Sequence, residues 1–208
     1  MRLICFGDSW TAGHGVETNI EFKENAYPPP FIQKLRSQNS WPRWVADKLG
    51  GIEYVNMGVC GYGNEYISQE IEFAVQKNFI YETDIIVVMF SYPYRYTGDT
   101  YTVVEIYNKI ESILNGYKHF YFNSFFPTFK YEPDIDIKKL PPYFINPNES
   151  VSDVLKEYEL NNDTSVWEYG SRSVWNDEKN FYEGDYHPNI DGYKIIGSYI
   201  YENIIDKL

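Results

Sequence analysis

The chain has 208 residues, of which 43% are hydrophobic and 23% charged, a balance typical of folded proteins and unlike that of disordered chains. Thirty acidic and 18 basic residues give a net charge of −12, which argues against nucleic acid and anionic membrane surfaces as partners. No apolar run approaches the roughly 20 residues of a membrane span, and residues 1–6 are too short for a signal-peptide core. We therefore expect one soluble, cytoplasmic domain over residues 1–208.

Apolar runs alternate with helical periodicity along most of the chain. A short apolar run ends at Gly7-Asp8-Ser9, which indicates a buried strand followed by a tight turn. The second predicted strand is closed by a glycine-rich turn with Gly58, Gly61 and Gly63, and the helices between strands carry apolar stripes. The predicted elements are a strand over 2–6, a helix capped by Ser40 and ending at Gly50, a strand over 52–55, a helix over 64–77, a strand over 84–90, a helix over 102–114, a strand over 119–122 and a closing helix that starts at Pro188 and carries apolar residues up to Leu208.

This alternation predicts a doubly wound, flavodoxin-like α/β/α sandwich with a parallel sheet of about five strands and helices on both faces. In such sheets the ligand site lies beyond the carboxyl ends of the strands. Residues from about 125 to 184 break the pattern, because they contain five prolines and only one predicted helix, near 152–158. We interpret this region as an elaborated loop region that includes the last strand.

Ser9 and His187 stand out as candidates for nucleophilic chemistry. Ser9 directly follows the first strand, so its hydroxyl is expected at the carboxyl edge of the sheet. A serine needs a neighbouring base to act as a nucleophile. His187 precedes a proline, which holds it in an extended conformation outside the last helix. His14 lacks a neighbouring carboxylate and His119 lies on a strand, so His187 is the preferred base.

Three blocks of sequence together resemble the GDSL/SGNH hydrolase superfamily. Residues 6–13 (Phe-Gly-Asp-Ser-Trp-Thr-Ala-Gly) are similar to its nucleophile block, residues 56–61 to its glycine block, and residues 185–189 to the block that carries the acid and the base. The blocks occur in the family's order over nearly the whole chain. Trp10 and residues 39–42 (Asn-Ser-Trp-Pro) are further similar to a phage and bacterial branch.

The resemblance implies an ester hydrolase with this sandwich fold. Ser9 would attack the ester carbonyl, His187 would accept its proton, and Asp185 would orient the imidazole. The backbone N–H groups of Ser9 and Gly61 would form the oxyanion hole. No metal or organic cofactor is required. An aromatic content of 19% suits a small or carbohydrate-borne ester as substrate.

The chain departs from the family pattern at two points. Asp185 stands two residues before His187 instead of the usual three, so Glu183 is the reserve for the acid. The family's asparagine after the central strand, a further oxyanion donor, is missing. Arg95 follows the central strand, and its cation would stabilise an oxyanion or bind an anionic substrate. The candidates for the missing donor are Arg95, Ser91, Asn64 and Asn123.

Two other functions fit the same features. A catalytically idle member would bind a glycan or a protein, and it would tolerate the missing asparagine and the displaced acid. An acyltransferase would use the same triad and the same acyl-enzyme, so the sequence does not separate transfer from hydrolysis.

Cys5 and Cys60 are the two cysteines of the chain, and neither has a second Cys or His at metal-site spacing. We expect them to lie near each other if the first two strands are neighbours, and we assign them no chemistry.

Overall fold

The computed structural model describes residues 1–14, 16, 30–91, 103–124, 150–162, 174–176, 181–183 and 187–208, with the backbone alone at 103–104, 174–176 and 181–183. The strands are β1 (Leu3–Gly7), β2 (Tyr54–Gly58), β3 (Ile85–Phe90), β4 (Lys118–Asn123), β5 (Val174–Asn176) and β6 (Phe181–Glu183). The helices are α1 (Ser9–Ala12), α2 (Pro30–Asn39), α3 (Trp41–Lys48), α4 (Asn64–Gln76), α5 (Val103–Leu114), α6 (Val151–Asn162) and α7 (Ile190–Ile204), followed by a 3-10 turn (Ile205–Lys207).

Strands β1 to β4 form one parallel sheet in the order β2-β1-β3-β4. The order is that of flavodoxin-like doubly wound sheets, which confirms the predicted fold class. The described residues give this sheet four strands where about five were expected. Within the predicted loop region, the described segments are α6 and a separate antiparallel pair of β5 and β6.

Every residue of the central strands β1 and β3 is buried, as the unbroken apolar runs predict. Alternate side chains of a strand point to opposite faces, so β1 contributes to two separate cores. Leu3 and Cys5 pack with α3 and α7, whereas Ile4 and Phe6 pack with α4 and α5. The helices therefore cover both faces of the sheet and leave its carboxyl edge for the connecting turns.

Some helix boundaries differ from the prediction. Helix α2 was missed, because a proline triplet and a polar sequence precede Ser40; a proline is nevertheless well suited to the first helical position, where Pro30 stands. Ser40 precedes α3, but its side chain does not cap that helix and instead donates to the Ser37 carbonyl at 3.2 Å. The last helix starts at Ile190 instead of Pro188, and Leu208 is 38% exposed.

Arg2 and Asp84 join the start of β1 to the turn before β3. Arg2 Nη2 lies 2.7 Å from Asp84 Oδ2, and the backbone N–H groups of Arg2 and Tyr81 also donate to this carboxylate. Burial by itself would raise the pKa of Asp84, but the hydrogen bonds from Arg2 and Tyr81 outweigh it and lower the pKa. The carboxylate therefore stabilises the fold above the pKa of an unfolded aspartate, and this contribution is lost as the pH falls through the lower pKa of the folded state.

Asp84→Asn should accordingly lower the free energy of unfolding at pH 7 by roughly 3 kcal/mol, as expected when one partner of a buried ion pair is removed. The difference from the parent should begin to shrink below about pH 4, where the unfolded parent chain binds a proton at this aspartate, and should shrink further as the pH falls through the lower pKa of the folded carboxylate. Urea denaturation between pH 3 and pH 7 measures both effects. Asp47→Asn, in the exposed pair with Arg43, is the control and should cost less than about 1 kcal/mol. A loss at Asp84 that does not change with pH would contradict this account.

Among the helices that the structure describes, none has the combination of length and hydropathy that crossing a membrane requires.

Candidate active site

The site begins at the turn that leaves β1. Asp8 caps α1, since its Oδ1 accepts a hydrogen bond from the Trp10 N–H at 3.0 Å. Ser9 is the first residue of this helix and is 2% exposed. Among the described residues, its Oγ has no hydrogen-bond partner. A buried hydroxyl without a partner is unusual, and because Ser9 stands at the carboxyl edge of the sheet, where ligands of such folds bind, we treat it as a candidate reacting group.

The turn after β2 lies beside the turn that carries Ser9. Gly7 and Gly58 are paired in register, and the Val59 N–H donates to the Gly7 carbonyl at 3.1 Å. A Cβ atom on Gly58 would overlap the backbone nitrogen of Ala12, so glycine is needed for α1 to sit this close to β2. This close packing fixes the helix that carries Ser9 against the start of the turn at residues 59–63.

Gly61 lies within that turn and has a φ of +86°, a conformation that favours glycine. Across the described part of the chain, neither the Ser9 N–H nor the Gly61 N–H donates a hydrogen bond.

A buried hydrogen-bond network supports the turn from behind. Ser91 Oγ donates to Asp8 Oδ2 at 2.7 Å. The Asn64 carboxamide holds the Ser91 backbone at both polar atoms, accepting from its N–H at 2.7 Å and donating to its carbonyl at 3.1 Å. The network connects the ends of β1 and β3 to the start of α4.

The network includes Ser91 and Asn64, two of the residues predicted as a third oxyanion donor. Both hydrogen-bond donors of Ser91 are used within the protein, which argues against the predicted donor role of Ser91. Asn64 uses one of the two N–H bonds of its carboxamide on Ser91. Asn64 therefore stays a candidate.

His187 lies beside the segment that follows Ser9. It is 5% exposed and stands outside α7, as predicted, because Asn189 caps that helix by accepting from the Gly192 N–H at 2.9 Å. The ring of His187 contacts the ring of His14, with 4.0 Å between the ring centroids.

His14 was ranked below His187 as a base, and sequence reasoning missed its contact with that residue. Its N–H donates to the Ser9 carbonyl at 3.0 Å. The available signal was its position, directly after the glycine that ends the Ser9 helix. The role of Asp8 as cap and network member was missed as well, although an aspartate before a helix is a common cap.

Several predicted residues stay untested. Asp185 and Arg95 lie outside the described residues, and Glu183 is described by its backbone alone, in β6. Asn123 is buried at the carboxyl end of β4, opposite Phe90.

Both ring nitrogens of His119 are hydrogen-bonded within the fold, one to the Tyr117 carbonyl and the other to the Glu111 carboxylate. That His119 takes no part in the chemistry stays a prediction.

The cysteines do not meet as the strand order suggested. Strands β1 and β2 are neighbours, but Cys5 is in register with Asn56, and Cys60 lies exposed in the turn beyond β2. Cys60 Sγ accepts a hydrogen bond from Arg36 at 3.5 Å, and burial raises the pKa of the Cys5 thiol. Over the described ranges, no three His, Cys, Asp or Glu side chains come together in a way that could hold a metal ion.

Comparison with known proteins identifies the fold. No protein-family model and no curated protein sequence matches the chain. Among solved structures, a protein from Desulfitobacterium hafniense assigned to the lipolytic G-D-S-L family aligns over 97% of this chain and 98% of its own, with a TM-score of 0.53 and 15% identity. A lipolytic G-D-S-L family protein from Veillonella parvula aligns over 100% of both chains, with a TM-score of 0.48 and 16% identity. The first comparison confirms the predicted resemblance at the level of the fold.

Proposed function

We propose that this protein is a serine-dependent ester hydrolase, with Ser9 as the nucleophile and His187 as its base. The observation that carries the proposal is the buried Ser9 hydroxyl at the carboxyl edge of the sheet, which has no hydrogen-bond partner within the described part of the chain. His14, five residues further along the chain, contacts the buried ring of His187. The fold shared with a G-D-S-L family protein is consistent with it.

The reaction follows from the chemistry of these groups. Ser9 Oγ attacks the ester carbonyl carbon while His187 accepts the hydroxyl proton, and the carbonyl oxygen becomes an oxyanion. When the tetrahedral intermediate collapses, the carbon–oxygen bond to the alcohol breaks and His187 returns the proton to that alcohol. Water then attacks the acyl-enzyme with His187 again as the base, which releases the acid and restores Ser9.

The Ser9 and Gly61 N–H groups are proposed as oxyanion donors. Each preorganised donor of this kind is typically worth roughly 3 to 4 kcal/mol in the transition state. Asp185 is proposed to orient His187, with Glu183 in reserve. The candidates for a third donor are Asn64, Arg95 and Asn123.

The proposed substrate is a small or carbohydrate-borne ester. The support is compositional: 21 tyrosines and five tryptophans supply aromatic faces with polar groups, which suit sugar rings.

Burst kinetics with p-nitrophenyl acetate test the proposal. Because an acyl-enzyme forms and then hydrolyses, we expect up to one equivalent of p-nitrophenol per chain in a fast phase, followed by steady turnover. EDTA should change neither phase. No turnover above the background rate would favour an idle binding module, and loss of turnover in EDTA with recovery on adding a divalent metal would contradict the proposed mechanism.

A further inference from the structure

We infer that His14 is a positioning residue that holds the imidazole of His187 in its working orientation. The inference rests on the proposed roles of Ser9 and His187, and it assigns His14 no direct contact with substrate.

Both backbone polar groups of His14 are hydrogen-bonded, one to α1 and the other to α7. Its N–H donates to the Ser9 carbonyl at 3.0 Å, which ties it to the helix of the nucleophile. Its carbonyl accepts a hydrogen bond from the Tyr193 hydroxyl at 2.6 Å, and Tyr193 is fully buried on α7. His14 therefore connects the Ser9 helix to the helix that follows His187.

The side chain of His14 supplies a surface for His187. The two ring centroids are 4.0 Å apart and the ring planes are inclined by 42°, so the rings are in van der Waals contact. The torsion that turns an imidazole about its Cβ–Cγ bond has broad minima, and it needs a neighbour to restrict it. His14 is such a neighbour for His187.

Orientation matters because a general base must come within about 2.6–3.2 Å of the atom whose proton it removes, or reach it through one water. A misplacement of about 1 Å can cost around 100-fold in rate. Loss of the His14 ring should therefore reduce catalysis more than substrate binding.

The kinetic test compares three substitutions at one position. His14→Ala should lower kcat for p-nitrophenyl acetate by about 10- to 100-fold, with KM within about threefold of the parent. His14→Phe, which keeps a flat ring, should recover most of kcat. His14→Gln, which keeps a hydrogen-bonding group without the ring, should stay low.

NMR of ring-labelled histidine provides a readout that does not depend on activity. The chain has only three histidines, and His119 is a built-in control on β4, held by Tyr117 and Glu111. His14→Ala should shift or broaden the His187 ring signals and leave the His119 signals in place. His14→Phe should keep the His187 signals sharp. If the alanine variant folds poorly, the glutamine and phenylalanine variants provide the same comparison of a side chain without and with a ring.

Unchanged kcat and unchanged His187 signals in His14→Ala would overturn the inference. Recovery by glutamine but not by phenylalanine would also overturn it, since a hydrogen bond would then be the requirement. If the parent protein shows no Ser9-dependent hydrolysis, the proposed function fails, and the NMR signals alone decide whether His14 orders His187.

Discussion

Replacing Ser9 by alanine should lower kcat/KM for p-nitrophenyl acetate by at least about 1,000-fold, because the variant lacks the oxygen that attacks the ester carbonyl. The fold should remain intact. Alanine is smaller than serine, and the Ser9 hydroxyl makes no hydrogen bond among the described residues, so the free energy of unfolding should change by less than about 1 kcal/mol. Steady-state kinetics and urea denaturation on the same preparation measure both quantities.

Ser68→Ala is a matched control for this variant. Ser68 lies on α4 and is 2% exposed, like Ser9, and its Oγ also lacks a partner among the described residues. It should keep the activity of the parent. Parent-like turnover in Ser9→Ala, or an equal loss in both variants, would remove Ser9 as the nucleophile.

His187→Ala should lose nearly as much activity as Ser9→Ala, at least about 1,000-fold in kcat/KM. The base and the nucleophile act as a unit, so the double variant should be no more than about threefold slower than the slower single variant. Losses that multiply in the double variant would show that the two residues act independently.

His119→Gln is the control for the loss of an imidazole. His119 is 1% exposed and is held on β4 by Tyr117 and Glu111, so its substitution should affect stability and leave kcat unchanged. A large drop in kcat for this variant, at normal stability, would contradict the assignment of the base.

Long elements with a clear pattern could be predicted from the sequence. The apolar run of β3 and the stripe of α5 contain enough consecutive residues for a period to emerge, and both lie within a residue or two of their predicted bounds. Helix α1 was missed because four residues are too few to show a period. Helix α2 was missed because its sequence is polar and it buries only Ile32 and Arg36.

The positions of Ser9 and His187 relative to the elements could also be predicted. Ser9 comes two residues after the end of an apolar strand, and His187 precedes a proline, which keeps it out of the helix. The contacts around them could not be predicted, because they join residues far apart in sequence. The hydrogen bonds from Ser91 to Asp8 and between Ser91 and Asn64 depend on the order of strands in the sheet, which local patterns do not encode.

The most direct test of the central claim is active-site labelling with a fluorophosphonate, followed by mass spectrometry of the labelled peptide. The reagent reacts with a serine whose hydroxyl is activated by a base. We expect one label per chain on Ser9, at a rate that falls sharply in His187→Ala and stays unchanged in His119→Gln. No labelling of the folded protein, or a label on another residue that persists in Ser9→Ala, would contradict the assignment of Ser9 as the nucleophile.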